Sequence, residues 1–292
     1  MSTVLRQAYL RLCKGLGKKR ITSKSGIGHP FVCHLGDFLG ENPFYNREAF
    51  RTELEVCASW LRTENKPIVF DVGANVGFWS THLAQMIDTQ SPEIYAFEPV
   101  PSTFCKLRES VEDLSLESSV FPIAVAITDR PRSLRLSYSP QDSLFAQIAD
   151  HGLNTRVGDQ MVHAVGTTLD EFSASLGIVP SFIKVDVEGS ETAVLRGARG
   201  LLSDENRPAL MIEFNPVTLS ETGATILELQ ELLHGYHLFY VDDFEGQKRP
   251  IGDSIEAISE LSWVCNLLAI PTRPGLEARY SAAIAKARTR CR

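Results

Sequence analysis

From about Pro67 onward, short apolar runs alternate with longer polar, helix-compatible stretches. A parallel sheet covered by helices on both faces produces this pattern, because strands buried on both sides read as near-continuous apolar runs. Ile68 to Val72 is the first such run, and a helix is expected from about Val76 to Ile87. Glu93 to Phe97 is the second strand, followed by Pro99, Val100, Pro101 and a helix from about Ser102 to Leu114. A third strand runs through Val120 to Ile127. Leu134, Leu136 and Tyr138 alternate as an edge strand does, and Met161 to Val165 reads as another. Thr168, ahead of Asp170 and Glu171, marks the start of a helix reaching Leu176. Phe182 to Val187 is then a strand, Glu191 to Leu202 a helix, Ala209 to Phe214 a strand and Ser220 to Leu233 a helix.

The last two apolar runs, Tyr236 to Val241 and Ser262 to Ile270, break the alternation. The 20 residues between them contain Gly246, Pro250 and Gly252 and no convincing helix, so an antiparallel pair is expected rather than a crossover. The chain therefore reads as a Rossmann-like α/β domain over residues 66–271. A basic, mainly helical lead-in spans residues 1–65, with Ala49 to Arg62 its best helix, and a basic tail spans residues 272–292.

Composition narrows this picture. With 43% hydrophobic content in 292 residues the chain suits one large globular domain. Its longest apolar run, Trp263 to Ile270, is interrupted by Asn266 and is too short to cross a bilayer. No apolar signal-like run follows Met1, and the six cysteines are scattered with no CxxC pair. That pattern argues against a zinc site or a disulfide framework and points to the cytoplasm. Residues 1–24 hold seven cations and no acid, and residues 273–292 hold six cations against Glu277. The net charge of −7 thus hides a central body near −19, which would repel a nucleic-acid backbone. The basic ends are solvated termini, or they touch a membrane surface or a partner.

The chemistry-bearing residues fall at strand ends. Asp71-Val-Gly-Ala-Asn-Val-Gly77 follows a strand and opens a helix. Its glycines let the backbone approach a ligand closely, and the helix N-terminus beyond supplies free N–H groups. Glu98, followed by Pro99, ends the second strand 21 residues after Gly77. At about that spacing, dinucleotide folds place an acid on a ribose diol. Such an acid suits NAD as well as S-adenosylmethionine but disfavours NADP. In Ser181-Phe-Ile-Lys-Val-Asp-Val-Glu-Gly-Ser-Glu191, a strand would set Lys184, Asp186 and Glu188 on one face. Buried charges are costly unless paired or used. Lys184 is then either the partner of Asp186 in a structural ion pair or part of a functional site at the carboxyl end of the sheet.

Four stretches together carry a resemblance: DVGANVGFWS (Asp71 to Ser80), YAFEPVPSTFCKL (Tyr95 to Leu107), TTLDEF (Thr167 to Phe172) and FIKVDVEGSETAVLRGARGLL (Phe182 to Leu202). Over about residues 66–271 the chain resembles the FkbM-type family of class I methyltransferases. The resemblance implies a seven-stranded, mostly parallel sheet with the C-terminal antiparallel hairpin, and S-adenosylmethionine as cofactor. It also implies methyl transfer to an oxygen, commonly a hydroxyl of a sugar, glycolipid or natural product. By analogy Asp71, Gly73, Ala74, Asn75 and Gly77 would hold the methionine side. Glu98 and Pro99 would hold the ribose, Ala124 and Val125 would lie near adenine, and Asp186 beside the sulfonium.

An alcohol must also lose its proton, and an ordinary carboxylate is a weak base for it. Asp186 or Glu188 with a raised pKa, or His151, is the candidate base, with Lys184 alongside. Alternatively a divalent metal acidifies the hydroxyl. Asp186, Glu213 and Asn215 resemble the ligand set of metal-dependent catechol O-methyltransferases and would suit Mg2+. Ser139 to Gly158 is a candidate lid. A small-molecule or glycan acceptor is the expected partner. Two rival readings remain, an NAD-dependent oxidoreductase and a non-catalytic binding protein on the same fold.

Overall fold

The structure is a computed structural model. It describes residues 3–46, 49–139, 142–148, 160–203, 207–241, 251–255, 258, 264–272 and 276. His151 and most of the Ser139 to Gly158 stretch lie outside the described residues.

Eight strands form the central sheet. In chain order they are β3 (Ile68–Val72), β4 (Glu93–Phe97), β5 (Val120–Ile123), β10 (Phe182–Val185), β11 (Ala209–Phe214), β12 (Tyr236–Val241), β13 (Ile251–Ile255) and β14 (Cys265–Pro271). Their spatial order is β13-β12-β14-β11-β10-β3-β4-β5. β11, β10, β3, β4 and β5 pair in parallel, while β14 runs antiparallel to both β11 and β12. The terminal reversal expected from the sequence is thus present, completing the seven-stranded class I arrangement. β13 extends it as an eighth, antiparallel edge strand.

Alternation along the strands sends side chains to two cores. Val69, Phe182, Met211 and Leu268 meet α3 (Arg51–Leu61), α4 (Phe78–Met86) and α5 (Pro101–Asp113) on one face. Phe70, Ile183, Ile212 and Leu267 meet α6 (Leu169–Leu176), α7 (Glu191–Arg196), α8 (Arg199–Ser203), α9 (Pro216–Glu221) and α10 (Ile226–Leu232) on the other. Thr168 caps α6 as its sequence signal promised, its side chain accepting from Glu171 N.

Four sequence expectations change. The run from Val120 to Ile127 is not one strand. β5 ends at Ile123, and β6 (Ala126–Ile127) turns away to pair with β9 (Gln160–Thr167) in a second sheet, β6-β9-β7-β8. In that sheet β7 is Arg132–Ser139 and β8 is Asp142–Ile148. Pro122 lacks a backbone donor and is tolerated because β5 is an edge strand. The helix read over Glu191 to Leu202 is two, α7 and α8. At the break, a Cβ on Gly197 would lie 2.1 Å from the Thr128 carbonyl oxygen. The helix read over Ser220 to Leu233 is likewise α9 and α10, with Gly223 in a left-handed conformation between them. Finally, the lead-in holds more than helices: β1 (Arg20–Lys24) and β2 (Pro30–His34) form an antiparallel hairpin between α1 (Thr3–Gly15) and α2 (Phe38–Tyr45).

Candidate active site

The glycine loop runs from the end of β3 to α4. Gly73 N and Ala74 N both donate to the Phe97 carbonyl, which fastens the loop to β4. Gly73 has φ +85°, and a Cβ there would lie 1.8 Å from the Asp186 carbonyl oxygen. Only glycine lets the backbone after β3 pass so close to the backbone after β10. Asn75 is left-handed too, with φ 52°, and its Oδ1 accepts from Val76 N.

Beneath the loop Asp71 is fully buried. Ser80 Oγ donates to its Oδ2 at 2.6 Å, and Lys184 Nζ lies 3.8 Å from its Oδ1. The β10–β3 register sets Lys184 opposite Asp71, so the pair faces the same core layer. Lys184 Nζ also donates to Asp186 Oδ2 at 2.8 Å. Burial alone would lower the Lys184 pKa, but Asp186, Asp71 and Glu53 outweigh it and hold the ammonium above its ordinary value. Burial raises Asp71, with Lys184 and Ser80 opposing. Lys184 is therefore a charge held between two acids.

β10 stops at Val185, so Lys184, Asp186 and Glu188 do not share a strand face as the sequence suggested. Asp186 and Glu188 lie in the turn that follows, Glu188 with φ 53°. Glu191 shapes this turn, its Oε1 accepting from Val187 N at 3.1 Å and Gly189 N at 3.0 Å. Burial pushes Glu191 up to about 7, against those two donors. The sequence reading had placed Glu191 only as a helix start.

Glu98 is buried at the end of β4. Its Oε1 accepts from Val100 N at 2.8 Å and its Oε2 from Asn75 N at 3.1 Å, and burial still pushes it up to about 7. Glu213, near the end of β11, rises further, to about 10. Burial is the main cause, followed by the charges of Asp186, Glu188 and Glu191, with Lys184 opposing. The sequence names this carboxyl only as a metal ligand.

A cavity of about 350 Å³ opens over these strand ends, within the size range of small-molecule sites. Gly73, Ala74, Asn75, Glu98, Pro99 and Val125 line it. Lys184, Asp186, Glu188 and Glu213 line it as well. Carboxylate oxygens of Asp186, Glu188 and Glu213 lie within 4.8 Å of one another. Among the described residues, four expected ones, Asp71, Gly77, Ala124 and Asn215, do not line the cavity. Asp71 supports the loop from below, Gly77 packs on Leu107 of α5, and Ala126 and Ile127 take the place foreseen for Ala124. Asn215 is spent as the α9 cap, its Oδ1 accepting from Val217 N and Thr218 N. The oxygens that could hold a divalent cation are accordingly those of Asp186, Glu188 and Glu213, without Asn215.

Residues the sequence left unassigned complete the walls: Phe38, Asn42, Pro43 and Phe50 from the lead-in, and Leu136 and Ile148 from the second sheet. Their sequence signal is weak because apolar side chains at a cavity look like core. His34 and His82 are buried, and desolvation is the main force lowering both to about 4. They bond to Ser110 Oγ and Ser25 Oγ within the packing.

The donor set fits a nucleoside attached to an amino acid. Buried Glu98 accepts from the loop's Asn75 N, apolar Val125, Phe97 and Ile127 offer a surface for a base, and Asp186 adds a carboxyl to the same cavity. Trp79 Nε1, buried and at the cavity wall, has no hydrogen-bond partner among the described residues.

Comparison with known proteins agrees with this geometry. The "Methyltransferase FkbM domain" family model matches residues 71–238. The chain is 28% identical over 198 residues to the 31-O-demethyl-FK506 methyltransferase FkbM of Streptomyces tacrolimicus, covering 57% of this chain and 71% of that one. It is 29% identical over 144 residues to the hexuronic acid methyltransferase AglP of Haloferax volcanii, covering 49% of this chain and 54% of that one. It therefore spans about half the length of that relative. A solved structure of methyltransferase FkbM from Methylobacillus flagellatus superposes with a TM-score of 0.44 at 17% identity, covering 70% of this chain and 43% of that one. With the family model matching more than half its length from the glycine loop to β12, the chain belongs to the FkbM family of methyltransferases.

Proposed function

We propose that the protein is an S-adenosylmethionine-dependent O-methyltransferase acting on a hydroxyl of a sugar, glycolipid or natural product. The observation that carries this is the meeting of Asp186, Glu188 and Glu213 in the same cavity as the glycine loop and Glu98. When bound, the cofactor supplies an electrophilic methyl group. The chain itself supplies position and a proton acceptor. Glu98 takes the ribose hydroxyls, Asn75 and its neighbours hold the loop against the ligand, and Asp186, fixed by Lys184, offers negative charge to a cation. Most of the rate in such a transfer comes from alignment.

The hydroxyl proton goes to the acidic trio. Glu213 holds a proton at neutral pH in the free protein, because burial and its acidic neighbours keep it near 10. A cation bound beside it lowers that pKa so that the carboxyl ionises and can accept the proton, while its burial keeps it a stronger base toward an alcohol than an ordinary carboxylate. His151, named as a base from the sequence, lies outside the described residues. The same trio is also the set that could take Mg2+.

Calorimetric titration with S-adenosylhomocysteine and with NADH, then transfer of labelled methyl to hydroxylated acceptors with and without chelator, tests the proposal. Binding of S-adenosylhomocysteine and label on oxygen support it. Binding of NADH alone returns the oxidoreductase reading, and cofactor binding without transfer to any acceptor returns the binding-protein reading. Loss of transfer on chelation assigns the trio to a metal.

A further inference from the structure

Helix α1 buries only a narrow strip of itself. Leu10 and Cys13 point into a small cluster with Ile21, Phe31, Cys33 and Phe44. Beside that strip Leu5 is 59% exposed, Tyr9 43% and Leu12 60%, and Leu16, in the turn that follows, is 68% exposed. Spacings of four, three and four residues put them on one side of a helix and its extension. The Tyr9 ring stacks on Phe44 of α2 with centroids 6.2 Å apart, which anchors the stripe to the body.

The charges of this segment itself are of one sign. Residues 1–24 hold seven cations and no acid. Lys14 reaches Glu41, and Arg20 is paired with Glu109 and Asp113. Arg11, Lys18, Lys19 and Lys24 are exposed. Exposed leucines beside cations, on a segment that itself carries no acid, match the surface of an anionic bilayer: the apolar stripe enters the boundary of the acyl chains while ammonium and guanidinium groups stay at the phosphates. A second copy of the chain fits less well, because a two-fold contact through α1 would set cations against cations.

We infer that α1 docks the protein on a membrane surface carrying anionic lipid, with Leu5, Leu12 and Leu16 inserted and Arg11, Lys18 and Lys19 at the headgroups. Among the described residues no helix is long and apolar enough to cross a membrane, so this contact lies in the plane of the surface. α1 packs on α2, which supplies Phe38, Asn42 and Pro43 to the cavity wall. The docking helix is thus one element away from the site.

The test is co-sedimentation of the full chain with phosphatidylcholine vesicles and with mixed phosphatidylcholine–phosphatidylglycerol vesicles. The parent protein should bind the mixed vesicles only. The Leu12→Asp/Leu16→Asp and Lys18→Glu/Lys19→Glu pairs should each weaken that binding by about tenfold or more. Both should keep the parent's S-adenosylhomocysteine affinity, which separates loss of docking from loss of fold or cofactor site. Failure of the parent to bind mixed vesicles overturns the inference, as does equal binding by the leucine variant. It is also overturned if light scattering shows a dimer that Leu12→Asp/Leu16→Asp converts to a monomer.

Discussion

Lowering the pH from 8 to 6 should weaken cofactor binding through Glu98. In the free protein burial holds this carboxyl near 7, opposed by Val100 N and Asn75 N and assisted by the nearby charge of Asp71. A ribose diol donating to the ionised carboxylate would return it toward the ordinary value of about 4.3. The difference of roughly 2.5 units corresponds to about 3 kcal/mol of coupling between ligand and proton. Because the bound state favours the ionised form, affinity is full above about pH 7 and falls with each unit below it. S-adenosylhomocysteine should therefore bind about tenfold more weakly at pH 6 than at pH 8, releasing close to one proton at pH 6. Calorimetry in buffers of different ionisation enthalpy counts that proton. Glu98→Gln cannot accept from both backbone N–H groups and the diol, so it should bind more weakly at pH 8 and lose the pH dependence. An affinity equal at pH 8 and pH 6, or the same slope in Glu98→Gln, would show that Glu98 does not meet the ribose.

Three further outcomes follow from the buried charges. Glu191 has its folded pKa near 7, above its unfolded value, so its penalty is absent in acid and complete above neutrality. Glu191→Gln, which keeps an acceptor for Val187 N and Gly189 N, should stabilise the free protein by up to about 3 kcal/mol at pH 8 and little at pH 5; a lower melting temperature at pH 8 would refute this. Lys184→Met leaves Asp71 buried without its cation and should cost about 3–5 kcal/mol in denaturant unfolding, whereas a neutral result would mean Asp71 carries no charge. Of the acids in the described lining Glu213 is held neutral, which leaves Asp186 and Glu188 beside Lys184, already paired with Asp186. Among matched glycosides a neutral sugar should thus show higher kcat/KM than its uronate, and Glu188→Gln should narrow the gap; a preference for the uronate would contradict the charge argument.

What could be read from the sequence was local or periodic. β3 and β4 are legible to the residue because the first run stops at Gly73 and the second at Glu98, and the β12/β14 reversal is legible from the missing helix between them. Spatial neighbours decided the rest. Gly197 divides a helix because the Thr128 carbonyl is there, and β5 ends early because β6 has a partner in β9. Glu213 is legible in the sequence only as a metal-ligand candidate, because its raised pKa depends on burial and on Asp186 and Glu188 coming beside it. The lead-in carries no motif, yet Phe38 and Phe50 are cavity wall. Lys184 and Asp186 were left as either a structural pair or a functional one; the structure pairs them and sets Asp186 at the cavity as well.

The contact between Gly73 and the Asp186 backbone joins two parts of the site that could otherwise vary separately. In the proposed reading the end of β3 would cradle the donor and the end of β10 would present Asp186 and Glu188 to the acceptor, with no room for a methyl group between the two main chains. The spacing of the donor from those two acids would then be set by main chain, as a fixed jig, rather than by side chains that exchange could retune. New acceptors would have to be accommodated by the outer walls, where Phe38, Asn42, Leu136 and Ile148 come from elements outside the parallel strands. A library aimed at altered specificity belongs at those four positions, with the jig left intact.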